Sequence, residues 1–347
     1  MSAQSIVTDI MNTQYTIISL LLLTLLSACM PMTYPPGMKT GAAQLSGNSF
    51  LTEDGTYLPL RHWLPITEPR AVLVALHGFN DYSYFFQQPG EYFSKLGIAC
   101  FAYDQRGFGA TSQRGRWAGE ATFTDDLQAL VRLLKKRYPN RPIYLLGESM
   151  GGAIIISALS HTNMPHVNGI ILAAPAIWSR PTMPWYQTSL LWTLAHSVPW
   201  LTLTGKGLGV TASDNIEMLR ALGRDPLVIK ATRVETVYGL TDLMDAAFNN
   251  AALLHGNILI LYGEKDEIIP MKPTYFFLKK LLAKDVSKKK VAFYQHGYHM
   301  LLRDLQAPIA LNDIASWINN SHDKLPSGAD IRAQQALTQY IPPASTM

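Results

Sequence analysis

Residues 143–156 place one serine between an apolar strand and an apolar helix, which restricts the fold more than any other part of the chain. The apolar run at 143–146 predicts a strand, and Gly-Glu-Ser-Met-Gly follows it directly at 147–151. The apolar residues after this turn predict a helix. Glycines flank the serine because a side chain would collide in so sharp a turn. Ser149 is therefore the candidate nucleophile, and an ordinary glycine-rich turn is the alternative.

Strand-like and helix-like patterns alternate along most of the chain. Continuous apolar runs predict buried strands at 71–76, 98–103, 143–146, 169–173, 257–262 and 291–294. Helical spacing of apolar residues predicts helices at 84–96, 123–137, 274–282 and 309–318. This order predicts an α/β fold in which a mostly parallel central sheet carries helices on both faces. We expect this core to be built from residues 46–174 and 255–320.

Residues 175–254 interrupt this alternation and predict a helical cap inserted into the core. The first part of the insertion is dense in large apolar residues and has little polar surface. We expect the cap to cover the carboxyl edge of the sheet, with Trp185, Leu191 and Trp192 beside the bound substrate or facing lipid. The alternative is that these residues form a small core within the cap.

A serine nucleophile at neutral pH needs a base, and the base needs an acid that orients it. His299 follows the last predicted strand and precedes the last predicted helix, so it is the preferred base, while the nearby His296 stays open. Asp266 follows the penultimate predicted strand and is the preferred acid. Glu264 and Glu267 are the alternatives. The order serine, aspartate, histidine is the one that α/β-hydrolases use.

Acyl transfer also needs backbone N–H groups that stabilise the developing oxyanion. Phe79 follows the first buried parallel strand, and Met150 follows the candidate nucleophile, so their N–H groups are the expected donors. Gly78 lets the backbone before Phe79 approach the site closely. His77 ends the strand, where a histidine more often supports a loop than catalyses.

The first thirty residues predict export and a lipid anchor rather than a part of the fold. Residues 17–26 are almost wholly apolar and suit a signal peptide, which we place at 1–28, although Met11 is an alternative start. Leu-Ser-Ala-Cys at 26–29 resembles the bacterial lipobox, in which the cysteine is lipidated. The resemblance implies lipidation of Cys29 at the start of a tether at 29–45, in the bacterial cell envelope. Met30 after the cysteine favours the outer membrane, and an uncleaved anchor helix is the alternative.

Composition excludes several classes of protein. Charged residues make up 16% of the chain and the net charge of +4 is spread out, which argues against a nucleic-acid partner. Cys29 and Cys100 are too few for a disulfide framework, and we expect no metal site. The tail at 321–347 is polar and aperiodic, so we expect it to be loosely docked or disordered.

Several segments together resemble one known family over about residues 45–320. They are His-Gly-Phe-Asn-Asp-Tyr at 77–82, Tyr-Asp-Gln-Arg-Gly-Phe-Gly at 103–109, the serine turn at 147–152, residues 262–266 and Tyr-His at 298–299. They look like the monoacylglycerol lipase and lysophospholipase branch of the serine α/β-hydrolases. The resemblance implies an α/β-hydrolase fold with the nucleophile, acid, base and oxyanion donors named above. The chain departs from the family in Glu148, where a histidine is common, and in Phe79, where a smaller residue often lies.

The lipobox and the resemblance to this hydrolase branch together predict a membrane-tethered serine hydrolase that uses no metal or organic cofactor. Its expected substrate is a lipid-like carboxylic ester, a monoacylglycerol or a lysophospholipid, cleaved through an acyl-enzyme on Ser149. A peptidase or thioesterase of the same fold stays open, because the triad does not determine the leaving group. A catalytically silent lipoprotein that binds a lipid or a partner is the alternative from another class. The presence of all three triad residues favours catalysis.

Overall fold

The computed structural model describes residues 13–17, 31–160, 163–207 and 209–340. The strands in this part of the chain are β1 (Gln44–Ser46), β2 (Ser49–Leu51), β3 (Tyr57–Trp63), β4 (Ala71–Leu76), β5 (Ile98–Tyr103), β6 (Ile143–Glu148), β7 (Gly169–Ala173), β8 (Thr202–Thr204), β9 (Ala231–Arg233), β10 (Ile258–Gly263) and β11 (Lys289–Tyr294). The α-helices are α1 (Gln87–Lys95), α2 (Glu120–Arg137), α3 (Met150–Ser160), α4 (Trp185–Ser197), α5 (Ile216–Arg224), α6 (Val234–Asn250), α7 (Met271–Leu281), α8 (Ala307–Asn319) and α9 (Ala329–Tyr340).

Nine of these strands form one sheet in the order β1-β2-β3-β5-β4-β6-β7-β10-β11. The strands from β5 across to β11 run parallel to one another, and β1 to β3 add an antiparallel edge. Every residue of β4, β5, β7 and β10 is buried, because helices cover both faces of the parallel part. The predicted α/β architecture is confirmed.

Different helices cover the two faces of this sheet. Along β4, Val72 and Val74 join one apolar cluster, whereas Leu73 and Ala75 point to the opposite face and join another. The first cluster contains side chains from α2, α3, α6 and α7, and the second contains side chains from α1 and α8. Because these strands run parallel, the loops that leave their carboxyl ends meet at one edge of the sheet. This class of fold places its ligands at that edge.

The chain between β7 and β10, where the sequence predicts an inserted cap, contains α4 to α6 and the strands β8 and β9, and its two halves differ. Helix α4 buries only Ala195 and is otherwise half-buried or exposed. Helix α6 instead packs against α3 and buries Leu243 and Ala247 in the main core. Strands β8 and β9 pair antiparallel between the two halves. One helix of the insertion therefore belongs to the layer that covers the sheet.

The segment after α8 contradicts the expectation of a loosely docked or disordered tail. Helix α9 packs against β11 and buries Ala333 completely. Arg332 donates to both carboxylate oxygens of Glu264 at 2.7 Å. The expectation was wrong because α9 packs mainly through small residues, Ala329, Ala333 and Ala336, with Leu337 as the larger side chain beside them. Residues 341–347 lie outside the described part.

The N-terminal expectations fall mostly outside the described residues. Only residues 13–17 of the expected signal peptide are described, and Cys29 is not among them. Within the described ranges, no helix has both the length and the apolar character needed to cross a membrane. The later part of the expected tether lies on the core surface. There the N–H of Tyr34 donates to the Trp117 carbonyl at 2.8 Å, and that of Gly37 donates to Asp54 Oδ2 at 2.9 Å.

Candidate active site

Ser149 occupies the turn between β6 and α3 in a strained backbone conformation. Its φ is 52°, in the left-handed region that side chains other than glycine rarely adopt. The turn has no space for side chains at its glycines: a Cβ atom on Gly147 would lie 2.4 Å from the Gly151 carbonyl carbon, and one on Gly151 would lie 2.3 Å from the Leu76 oxygen. The N–H of Ser149 donates to the Ala173 carbonyl at 3.0 Å. The surrounding backbone thus holds Ser149 in this strained conformation.

Asp266 and His299 form a buried hydrogen-bonded pair at the same edge of the sheet. Asp266 follows β10 and His299 follows β11, and these parallel strands are neighbours. Nδ1 of His299 lies 2.8 Å from Oδ2 of Asp266. The other carboxylate oxygen, Oδ1, accepts from the N–H groups of Ile268 and Ile269 at 2.8 and 2.9 Å. Since an ionised carboxylate only accepts, the histidine tautomer that fits this pair carries its proton on Nδ1 and leaves Nε2 free to take another.

The charges around His299 favour its protonated form. Burial by itself lowers the pKa of this imidazole, but the charge and hydrogen bond of Asp266 and the charge of Glu148 outweigh burial. Arg303 opposes them in part, and the net result is a pKa raised above the ordinary value of 6.5. An imidazolium formed during proton transfer would therefore be stabilised here.

The two expected oxyanion donors lie on segments beside Ser149. A Cβ atom on Gly78 would lie 3.4 Å from the Ser149 Cβ, so the loop after β4 passes directly against the nucleophile. Phe79 is half-buried, with its ring centroid 5.7 Å from that of Phe108. Met150 is the first residue of α3, where helical N–H groups have no carbonyl partner within the helix. Both segments therefore lie beside the serine, and the role of their N–H groups as oxyanion donors stays a prediction.

The alternative acids and bases have other partners. His77 is fully buried, its Nε2 accepts from the N–H of Gln105 at 3.0 Å, and burial lowers its pKa, so it supports the loop in neutral form. His296 is exposed. Glu264 pairs with Arg332, and Glu267 accepts from a backbone N–H at 2.7 Å. The structure brings His299 and no other candidate base to Asp266.

Sequence reasoning missed a buried cluster of charges under this site. Arg303 lies four positions after His299, and its guanidinium binds Asp81 at 2.8 Å and Glu148 at 2.7 Å. All three side chains are at most 8% exposed. The available signal was a lone arginine directly after an apolar run, next to the histidine that the sequence had already selected.

The structure places the apolar residues of α4 mainly at the surface. Trp185 is 78% exposed and Trp192 is 56% exposed, while Leu191 is half-buried. The ring of Trp192 stacks on His196, with centroids 4.4 Å apart. Most of the surface of the two tryptophans thus contacts neither the core nor Ser149. Their place beside the substrate stays a prediction, and their exposure favours the lipid-facing alternative.

Comparison with known proteins agrees with this geometry. Residues 67–306 match the family described as "Serine aminopeptidase, S33". A monoacylglycerol lipase of Mycolicibacterium smegmatis is 25% identical over 278 residues, which cover 79% of this chain and 96% of that protein. A monoglyceride lipase of Rattus norvegicus is 28% identical over 276 residues, which cover 77% of this chain and 88% of that protein. 

Solved structures show the same fold. A soluble variant of the monoglyceride lipase of Saccharomyces cerevisiae, in complex with a substrate analog, superposes with a TM-score of 0.67 at 21% identity. The match covers 84% of this chain and 99% of that one. The match to the family described as "Serine aminopeptidase, S33" spans more than half of the sequence, so the chain belongs to this family of serine α/β-hydrolases. Within it, the chain lies in the branch of the monoacylglycerol lipases and is an ester hydrolase.

Proposed function

We propose that this protein cleaves the carboxylic ester of a monoacylglycerol or lysophospholipid through an acyl-enzyme on Ser149. The observation that carries the proposal is the buried hydrogen bond between Asp266 and His299 at the sheet edge that also presents the strained Ser149 turn. This arrangement holds the three groups that acyl transfer needs: a nucleophile, a base and an acid that orients the base.

The chemistry follows from the placement of these groups. Ser149 Oγ attacks the carbonyl carbon of the ester while His299 Nε2 takes the hydroxyl proton. The N–H groups of Phe79 and Met150 donate to the oxyanion of the tetrahedral intermediate. His299 then passes its proton to the leaving alcohol, and Ser149 keeps the acyl group. A water molecule that His299 deprotonates attacks the acyl-enzyme, which releases the acid and restores the serine.

Two features support a lipid-like substrate. The relatives reported above are named monoacylglycerol or monoglyceride lipases, so the same substrate class is the first choice here. The inserted segment also exposes large apolar side chains, at Trp185, Tyr186, Leu190, Trp192, Trp200 and Leu201. Since each buried methylene contributes about 0.8 kcal/mol, a long acyl chain is a strong source of binding energy.

The N-terminal segment supports a membrane-tethered form of this enzyme. Only residues 30–33 separate the lipobox cysteine, Cys29, from Tyr34, which is bound to the core. Five residue steps span at most about 17 Å, so a lipid on Cys29 would stay close to this point of the surface. We expect the anchor to lie in the bacterial cell envelope, in the outer membrane.

Tyr34 is also linked, through Arg116 and Glu235, to the apolar part of the insertion. The Arg116 guanidinium lies 4.7 Å from the centroid of the Tyr34 ring and 3.4 Å from Glu235, near the start of α6. The backbone N–H of Glu235 donates to Pro199, the residue before the exposed Trp200. This chain of contacts supports the proposal that the lipid and these apolar residues contact the same membrane.

The test is to assay the purified protein on p-nitrophenyl esters of graded chain length, monoacylglycerols, lysophospholipids, an acyl thioester and an aminoacyl anilide. We expect the highest kcat/KM on long-chain monoacylglycerols or lysophospholipids. Ser149→Ala should lower the rate by about 10³- to 10⁶-fold and leave thermal stability near wild type. Preference for the anilide or the thioester would replace the proposed substrate class. Activity that survives Ser149→Ala would contradict the mechanism.

A further inference from the structure

Arg303 joins three segments that carry different parts of the catalytic apparatus. It lies on the histidine loop, four residues after His299. One nitrogen, Nη2, donates to Oε1 of Glu148, the residue directly before Ser149. The other, Nη1, lies 2.8 Å from Oδ2 of Asp81, two residues after Phe79 on the oxyanion loop. A single buried guanidinium therefore links the segments that carry the base, the nucleophile and one oxyanion donor.

Residues of the cap also hold the oxyanion loop. Asn80 Nδ2 donates to Thr232 Oγ1 at 2.7 Å, and the Asn80 carbonyl accepts from the N–H of Ile229 at 2.9 Å. Tyr82 OH donates to Asp225 at 2.7 Å. Asp81 lies between these two contacts in the sequence and is 6% exposed, and its bond to Arg303 links the loop to the histidine and serine segments.

We propose that Arg303 is a positioning residue that sets the oxyanion loop and the Ser149 turn relative to His299. The inference rests on the proposed serine hydrolase mechanism and deepens it. Guanidinium is a rigid planar fork with donors in fixed directions, so it constrains two carboxylates at once, whereas a lysine ammonium is a compact point charge on a flexible stem. Positions matter at this scale because a displacement of 1 Å at a reacting group costs on the order of 100-fold in rate.

The polar groups of the Arg303 cluster are not all paired. One cation faces two carboxylates, and among the described residues Glu148 Oε2 and Arg303 Nε are buried without a hydrogen-bond partner. Burial raises the pKa of the Glu148 carboxyl, and the Arg303 charge offsets this only in part. This incompletely paired cluster lies directly beside the nucleophile, and there it constrains the geometry of the site.

The decisive variant is Arg303→Lys, which keeps the positive charge and loses the fork. Its matched control is Arg106→Lys, because the Arg106 side chain is only 11% exposed and also bridges two carboxylates, Asp54 and Asp126, from separate segments. We expect Arg303→Lys to lower kcat on a soluble p-nitrophenyl ester by about 10- to 100-fold while KM changes less than about threefold. Arg106→Lys should leave kcat within about threefold of wild type even if it lowers the melting temperature.

A second readout isolates the oxyanion loop from general stability. An alkylboronic acid forms a tetrahedral adduct with the serine and needs the oxyanion donors, so its affinity should fall in Arg303→Lys by a factor similar to the fall in kcat. Arg303→Met loses both the charge and the fork, so its boronate affinity and its kcat should fall further, provided that it folds. If it does not fold, Arg303→Lys still decides the matter. Unchanged boronate affinity and kcat in Arg303→Lys, or equal losses in Arg106→Lys, would overturn the inference.

The two proposals fail in different ways. If wild type hydrolyses no ester and no fluorophosphonate labels Ser149, the hydrolase function is wrong. If wild type is active and labelled but Arg303→Lys behaves like the control, only the positioning role is wrong.

Discussion

Nδ1 of His299 lies 2.8 Å from Oδ2 of Asp266, although the two residues are 33 positions apart and follow different strands. The contact exists because β10 and β11 are parallel neighbours whose carboxyl ends meet at one sheet edge. Both side chains are almost fully buried, so water does not screen the pair. The pair determines which histidine of the loop can act as the base.

Replacing His299 by alanine should cost about as much activity as replacing Ser149, on the order of 10³-fold or more, because the two act as one unit. His296→Ala is the matched control, since His296 lies three positions away and is exposed. It should retain nearly full kcat/KM on a p-nitrophenyl ester. Equal losses in the two variants, or the reverse order, would show that the base is misassigned.

The pH profile should report the charge of Glu148. Protonated His299 cannot act as a base, so kcat/KM falls as the pH drops through the pKa of His299, which is raised above its ordinary value. Asp266 and Glu148 raise this pKa and Arg303 lowers it. Glu148→Gln removes one of the two negative charges and keeps an oxygen that accepts from Arg303. The acidic limb should therefore move to lower pH.

The control for this profile is Glu217→Gln, which removes a carboxylate that is 89% exposed. It should leave the acidic limb in place. A limb that stays fixed or moves to higher pH in Glu148→Gln would mean that Glu148 does not act on His299 electrostatically.

Cys29→Ser should abolish lipid attachment and release the enzyme from membranes, because lipidation requires the thiol. Mass spectrometry of the mature N-terminus and membrane fractionation of expressing cells measure this directly. Wild type should begin at a diacylated Cys29 and fractionate with the outer membrane. An unmodified N-terminus at another residue would contradict the lipoprotein proposal.

The exposed tryptophans of α4 should matter at a lipid surface more than in solution. Replacing Trp185 and Trp192 together by serine removes apolar side chains that are 78% and 56% exposed. We expect vesicle binding of the chain lacking its lipid to weaken by roughly tenfold or more, because each tryptophan offers a large apolar area. Hydrolysis of a soluble acetate ester should stay near wild type.

Tyr57→Ser is the control for this experiment, since Tyr57 is 55% exposed on β3, outside the insertion. It should not affect vesicle binding. A uniform loss on soluble and membrane substrates in the double tryptophan variant, together with a lower melting temperature, would instead mean that these side chains stabilise the cap.

Local patterns were sufficient for the order of the main core elements and for the turn that carries Ser149. Each buried parallel strand must be apolar along its whole length, so β4, β5 and β7 were visible as continuous runs. The Ser149 turn was visible because a sharp turn excludes side chains at its glycines. Helix α9 was missed because its packing rests mostly on alanines, with Leu337, and small residues produce little periodic signal.

The sequence by itself determined the α/β class, the strand that presents Ser149, and the loops on which an acid and a base could lie, because these depend on residues close together in the chain. Only the tertiary structure decided that Asp266 binds His299, that Glu264 turns to Arg332, and that Arg303 reaches Glu148 and Asp81. Such pairings join residues far apart in sequence. They arise from the alignment of neighbouring strand ends and from the need of a buried charge for a partner, and neither leaves a local pattern.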